Sequence, residues 1–272
     1  MQRAVFDGVG ELLRETAAVA VMPRFAALDP GDIAMKAAND PVTIADREAE
    51  AMIGRGLRLL LPHARIVGEE ACAADPSLVD NLEQGSIWIV DPIDGTANFA
   101  AGRAPFAMMV ALLERGELVG SWILDPLSGR LAAAERGGGA WIDGERVRAS
   151  SSPPPLVGLR GIVSEAYLPP GQRGVVERIG AAVGSIDPTA RCAGHEYPLV
   201  ATGARHFALY WRTLVWDHAP GVLFLTEAGG SATHLDGTPY HPCRPQSGLL
   251  LAHHPSIGRD LIDVAMPGAR GG

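Results

Sequence analysis

Residues 87–99 limit what this chain can fold into more than any other stretch. Ile87, Trp88, Ile89 and Val90 read as a short apolar strand that delivers Asp91 at its C-terminal end. Pro92 then removes a backbone donor and bends the chain. Asp94 follows three residues after Asp91, and Gly95-Thr96 can open a helix. Two carboxylates this close repel unless they are protonated or bridged by cations. A helix starting at Gly95-Thr96 turns N–H groups outward and offers a cradle for phosphate. Hard oxygen ligands beside such a cradle suggest Mg²⁺. The plainer alternative is a turn in which Asp91 and Asp94 cap a helix.

The rest of the chain divides near residue 150. Val5, Val9, Leu12, Thr16 and Val19 recur at spacings of four and three, which predicts an N-terminal helix with these residues on one face. A Gly/Pro/Asp-rich stretch, 28–40, follows. Thr43-Ile44-Ala45-Asp46 then looks like a capping box opening a second helix, with Ile44, Ala45, Ala49, Met52, Ile53, Leu57 and Leu60 on its face and Pro62 ending it. Residues 65–68 and 87–90 read as short strands. Residues 106–113 and 118–124 flank Glu114-Arg115-Gly116-Glu117, a hairpin signature, and turns at 125–129 and at Asp143-Gly144 extend it into an antiparallel meander. Ser150 to Pro155 reads as a linker. Beyond it a strand at 158–163, a helix at 174–183 and a helix at 217–228, closed by Gly229-Gly230, alternate. The expected organisation is residues 1–150 as helices plus an antiparallel sheet, and residues 156–272 as a smaller α/β half.

Charge narrows the function. Lys and Arg number 23 against 31 Asp and Glu, a formal charge of −8, which argues against passive binding to nucleic acid or an anionic membrane. An anionic substrate then needs a local reversal of the field, and a metal ion supplies one. Hydrophobic residues make up 47% of the chain, enough for a sizeable core. The longest apolar run, 106–113, is too short to span a bilayer, and no signal peptide is expected at the N-terminus. Cys72, Cys192 and Cys243 lie far apart without a CxxC spacing, which favours a reducing, cytoplasmic setting over a disulfide framework or thiolate zinc.

Three further acidic sites accompany Asp91 and Asp94. Glu69-Glu70 follows the strand at 65–68; alone it is a solvated loop. Asp46 alone is a capping residue, and Asp217 alone is a helix N-cap. Together they carry a resemblance. Asp40-Pro41-Val42-Thr43-Ile44-Ala45-Asp46, then Gly68-Glu69-Glu70, then Asp91-Pro92-Ile93-Asp94-Gly95-Thr96 with Asn98-Phe99, then Trp216-Asp217 with Glu227-Ala228-Gly229-Gly230, resemble the signatures of the inositol monophosphatase family in order and spacing.

The resemblance implies an α+β fold, a layered α-β-α-β-α sandwich of the inositol monophosphatase and fructose bisphosphatase type, usually a homodimer. It implies a phosphomonoesterase using two or three Mg²⁺ ions. Glu69, Asp91 and the carbonyl of Ile93 would hold the first ion; Asp91, Asp94 and Asp217 the second; a weaker third would sit near Glu69. Thr96 and Asp46 would orient and deprotonate the attacking water, and the Gly95 and Thr96 N–H groups would hold the phosphate. These roles suit the chemistry, because phosphoryl transfer needs positioning and charge neutralisation above all. A lone threonine hydroxyl is too weak a base and needs a carboxylate behind it.

Other residues fit less well. Lys36 is either a solvated lysine or part of a loop near the third ion. His253-His254 reads as a strand end. Cys192 and His195 lack a third group to make a nucleophile. The chain also departs from the inositol-specific pattern. Tyr210, followed by Trp211 and Arg212, stands where a glutamate would read sugar hydroxyls, and the segment 192–197 replaces a run of small residues. Tyr210 and Arg212 are therefore the candidate substrate contacts: apolar surface, one hydroxyl, and a cation that favours a second anionic group. The expected substrate is inositol monophosphate or a similar small sugar phosphate. Histidinol phosphate, fructose 1,6-bisphosphate and 3′-phosphoadenosine 5′-phosphate are the alternatives, and a non-enzymatic, transcription-associated role is a third class. No membrane and no nucleic-acid partner is expected.

Overall fold

A computed structural model describes residues 2–37, 40–150 and 152–267. Ser151 of the expected linker and the outer ends of the two expected halves, Met1 and 268–272, lie outside the described residues.

The first helix, α1 (Arg3–Thr16), buries Val9, Leu13 and Thr16 and continues into a π-helical turn at Ala17–Val21. That turn changes the residues per turn, so Val19, expected on the buried face, is exposed. The Gly/Pro/Asp-rich stretch and the residues just after it form two strands that no periodicity announced: β1 (Ile33–Ala37) pairs antiparallel with β2 (Asp40–Thr43). β1 has no fully buried residue, so it leaves no apolar alternation to read. The capping box at the start of α2 (Ile44–Leu60) forms as expected. The Thr43 hydroxyl accepts from the Ala45 and Asp46 N–H groups, and the Asp46 carboxylate accepts from the Thr43 N–H.

β3 (Arg65–Gly68) is followed by α3 (Glu69–Ala74), which returns the chain to β4 (Ser86–Asp94). The α3 crossover makes β3 and β4 parallel, a departure from the antiparallel expectation. α4 (Thr96–Ala100) comes next. The meander then runs as drawn from the turns: β5 (Ala107–Glu114), β6 (Glu117–Leu124), β7 (Leu131–Glu135), β8 (Gly139–Ile142) and β9 (Glu145–Val147). With β3 and β4 they form a seven-stranded sheet in chain order.

The second sheet is mixed. β10 (Arg160–Val163), α5 (Arg173–Ala182), β11 (Ser185–Pro188), α6 (Ala193–Ala201), β12 (Phe207–Tyr210), α7 (Val215–Glu227), β13 (Ser231–His234), β14 (Leu249–Ala252) and α8 (Pro255–Ala265) follow one another. The five strands take the order β11-β10-β12-β14-β13.

Stacking gives five layers. α1 and α2 lie on one face of the large sheet, α6 and α7 fill the space between the two sheets, and α5 and α8 cover the far face of the small one. This is the α-β-α-β-α sandwich. Helix α7 is largely apolar because sheets press on both its sides; nine of its thirteen residues are buried. Ile87, Trp88, Ile89 and Val90 of β4 are wholly buried, each contributing about 1.5–3 kcal/mol as an upper bound. That fixes the strand end that follows.

Candidate active site

The register of β4 against β5 slips between Asp91 and Asp94: Asp91 faces Met109, Asp94 faces Ala107, and two residues oppose one. Such a bulge re-aims side chains. It carries Asp91 and Asp94 into one cleft with Glu69 from the start of α3 and Asp217 from the first turn of α7. Gly95 follows in a left-handed conformation at φ +86°, which its missing Cβ permits, and caps the five-residue α4.

Burial sets the charge balance of these acids. Burial, with Glu69, Asp94 and Asp217 close by, holds the Asp91 carboxyl well above the usual range. Asp217 is raised in the same way by burial, Asp94 and Glu69. Asp94 is raised by burial although the Gly194 N–H, 2.6 Å from its Oδ2, favours the charged form. That approach needs a glycine: a Cβ on Gly194 would stand 2.6 Å from the Cβ of Ala107. Burial raises Glu69 too, and Lys36 opposes the rise.

Lys36 is not a solvated lysine. It lies on β1, and its Nζ reaches Glu69 Oε1 at 2.6 Å and Glu70 Oε1 at 2.8 Å. Burial alone would lower its pKa, but the two glutamates raise it. Glu50 supports the same corner. One helical turn beyond Asp46 on α2, it accepts the Glu70 and Ala71 N–H groups at 2.7 and 2.9 Å and so caps α3. The sequence reading missed Glu50; its i, i+4 spacing from Asp46 was the available signal.

Asp46 does more than cap. Its Oδ2 takes the Thr43 N–H and hydroxyl at 2.8 and 2.5 Å, leaving Oδ1 facing the Thr96 hydroxyl at 3.1 Å. Burial pushes its pKa up to about 7, against the bonds from Thr43. Thr96 Oγ1 also lies 2.8 Å from the Ile93 carbonyl, the oxygen expected to face a metal.

Metal fit can be judged from the donors. Asp91 Oδ1 is buried without a hydrogen-bond partner, a costly state for a carboxylate oxygen. A cation would relieve both that atom and the mutual repulsion, and the all-oxygen donor set suits Mg²⁺. Among the described residues no group of three or more acidic, His or Cys side chains is assembled to hold an ion as it stands. Lys36 engages Glu69 and Gly194 engages Asp94 instead.

The substrate side of the cleft differs from its sequence reading. Tyr210 and Arg212 both line it, joined by Tyr167 and Arg191, which the sequence reading did not single out. The Arg212 guanidinium lies 4.1 Å above the Tyr167 ring. The Tyr210 hydroxyl, assigned to substrate contact, is donated to buried Glu196 of α6. His218, beside Asp217, takes the Tyr197 hydroxyl at Nδ1 and meets the Arg212 carbonyl at Nε2, both at 3.0 Å. A carbonyl only accepts, so Nε2 carries the proton and Nδ1 accepts from Tyr197. Burial lowers the His218 pKa to about 4, keeping it neutral in this role.

The remaining candidates are structural. His253 joins the Ser150 N–H and the Val200 carbonyl, and His254 caps α8. Burial pushes the Cys192 thiol well up, and its Sγ contacts the Asp94 carbonyl at 3.6 Å. All three cysteines are free.

Residues 2–264 match the inositol monophosphatase family. An inositol-1-monophosphatase of Rhizobium meliloti is 31% identical over 247 residues, covering 87% of this chain and 85% of that protein. A histidinol-phosphatase of Chlorobaculum parvum is 32% identical over 232 residues, covering 85% of each. The solved structure of a Thermotoga maritima IMPase superposes with a TM-score of 0.80 at 28% identity, covering 95% of each chain.

Proposed function

The chain belongs to the inositol monophosphatase family of phosphatases, and on that premise we propose that it hydrolyses a small phosphomonoester, inositol monophosphate or a similar polyol phosphate, with Mg²⁺. The observation that carries the metal assignment is the buried, unpartnered Oδ1 of Asp91 within a cluster of four acids. Glu69, Asp91 and the Ile93 carbonyl would hold one ion, and Asp91, Asp94 and Asp217 a second; a third would sit by Glu69. When bound, the ions supply charge neutralisation and lower the pKa of water.

The protein's own groups do the rest. Thr96 orients the attacking water and passes its proton toward Asp46, whose Oδ1 faces it. Thr43 occupies Oδ2 of Asp46, which leaves Oδ1 as the acceptor on the Thr96 side. The N–H groups of Gly95 and Thr96 hold the phosphate at the start of α4. The proposal includes a homodimer and a cytoplasmic setting; three free cysteines support a reducing one. No helix among the described residues is long and apolar enough to cross a membrane.

Substrate choice is expected to be broad. Tyr210 replaces a directed acceptor with ring surface, and Arg212 and Arg191 favour a second anionic group. Losing one directed hydrogen bond is worth about ten- to a hundred-fold in kcat/KM. The test measures kcat/KM for inositol 1-phosphate, glycerol 2-phosphate, histidinol phosphate and fructose 1,6-bisphosphate with saturating Mg²⁺ and with EDTA. Turnover in EDTA sinks the metal reading. A preference for inositol phosphate beyond about a thousand-fold sinks the reading of the wall.

A further inference from the structure

Glu196 is fully buried in the first turn of α6, and its hydrogen-bond partners are neutral. Oε1 accepts from the Thr189 hydroxyl at 2.7 Å and the Ala190 N–H at 2.5 Å, and Oε2 accepts from Tyr210. A buried carboxylate without a cation is expensive, and burial raises its pKa. An apolar side chain of similar volume would serve packing better, so the carboxylate points to a further task.

Its partners show which task. Thr189, Arg191 and Tyr210 all line the cleft. The Thr189 hydroxyl that donates to Glu196 also accepts the Arg191 N–H at 2.9 Å. Arg191 sits at φ +59°, a left-handed backbone that a non-glycine residue keeps only when its surroundings hold it. The chain of bonds thus runs from Arg191 through Thr189 to Glu196. The Ala190 carbonyl accepts from Asn98 Nδ2 at 2.9 Å, which ties this segment to α4.

We propose that Glu196 is a positioning residue for the substrate wall: through Thr189 it holds Arg191 at the cleft, and by taking the Tyr210 hydroxyl it leaves only that ring to face substrate. This rests on the phosphatase reading and extends it. The wall reads substrates by ring contact and by Arg191 and Arg212, with no hydroxyl from Tyr210.

The test uses the full-length Mg²⁺-loaded protein with Thr189→Val, Glu196→Gln, Glu196→Leu, Arg191→Ala and the Thr189→Val/Arg191→Ala pair. Initial rates are taken on glycerol 2-phosphate and fructose 1,6-bisphosphate. Thr189→Val, Glu196→Leu and Arg191→Ala are each expected to raise KM about ten-fold, more for the bisphosphate, with kcat within about three-fold. Glu196→Gln keeps an oxygen for Thr189 and Ala190 and is expected to restore most of KM. The double variant should be no worse than Arg191→Ala alone. Tryptic cleavage after Arg191 provides a readout without turnover, expected about ten-fold faster in Thr189→Val than in wild type. Additive KM effects, an unchanged KM with lowered melting temperature, or unchanged cleavage after Arg191 would overturn the proposal. If Glu196→Leu fails to fold, Thr189→Val and Glu196→Gln still decide it. A wild-type protein that hydrolyses none of the phosphomonoesters defeats the phosphatase reading instead, and the cleavage rates still test the hold on Arg191.

Discussion

The Thr96 hydroxyl lies 3.1 Å from Oδ1 of Asp46, joining residues fifty positions apart, while the other oxygen of the same carboxylate closes the capping box on Thr43. One side chain therefore both starts a helix and faces the proposed nucleophile site. A shared hydrogen bond predicts a shared kinetic effect.

Asp46→Asn and Thr96→Ala are each expected to lower kcat by about 10²–10⁴, and the double variant by little more. Single-turnover and steady-state rates on one substrate measure the cycle. Multiplicative losses would mean that the two act separately and that Asp46 is a cap alone.

Asp91→Asn is expected to abolish Mg²⁺-dependent turnover while leaving the fold intact. The amide keeps the volume but removes the charge that repels Asp94, Asp217 and Glu69. Its melting temperature in EDTA should equal or exceed that of wild type, since the repulsion is relieved. Near-normal turnover would remove Asp91 from the metal assignment.

Asp217 is the third residue of α7, and Leu214, not Asp217, is its N-cap. A capping loss of about 1 kcal/mol therefore does not apply in full. Asp217→Ala should shift the Mg²⁺ concentration for half-maximal rate at least ten-fold, with a melting temperature within a few degrees of wild type in EDTA. A collapsed melting temperature with unchanged Mg²⁺ dependence would assign Asp217 to the scaffold.

Removing metal makes stability depend on pH in a defined direction. Asp46, raised from 3.8 to about 7, and Asp91 and Asp217, both held well above 3.8, bind protons in the fold that they lose in the unfolded chain. At these three sites the fold carries more protons than the unfolded state above pH 3.8, which outweighs the one proton that buried His218 forgoes below pH 6.5, so stability falls as pH rises through 7. Melting temperature in EDTA should drop between pH 5 and pH 8, and Mg²⁺ should restore more of it at pH 8 than at pH 5. A melting temperature in EDTA that climbs over this range would contradict the burial of these acids as the main cause.

The local features were legible because their causes are local. The capping box at Thr43 and Asp46, the apolar run of β4 and the turn chemistry at Arg115-Gly116 act within a few residues, so their patterns survive in the sequence. The order and spacing of the acids along the chain carry the family resemblance, because they are properties of the sequence itself. Tertiary structure decided what those acids meet. Lys36 on a strand without an apolar pattern bridges Glu69 and Glu70, and the bulge in β4 turns Asp91 and Asp94 into the same space. The same holds for the substrate wall. Sequence placed Tyr210 there with a free hydroxyl, but the packing of α6 between the two sheets brings Glu196 behind it and takes that hydroxyl. A hydrogen bond between residues on different elements depends on how those elements stack, and stacking is set by the summed burial of many side chains rather than by any short pattern.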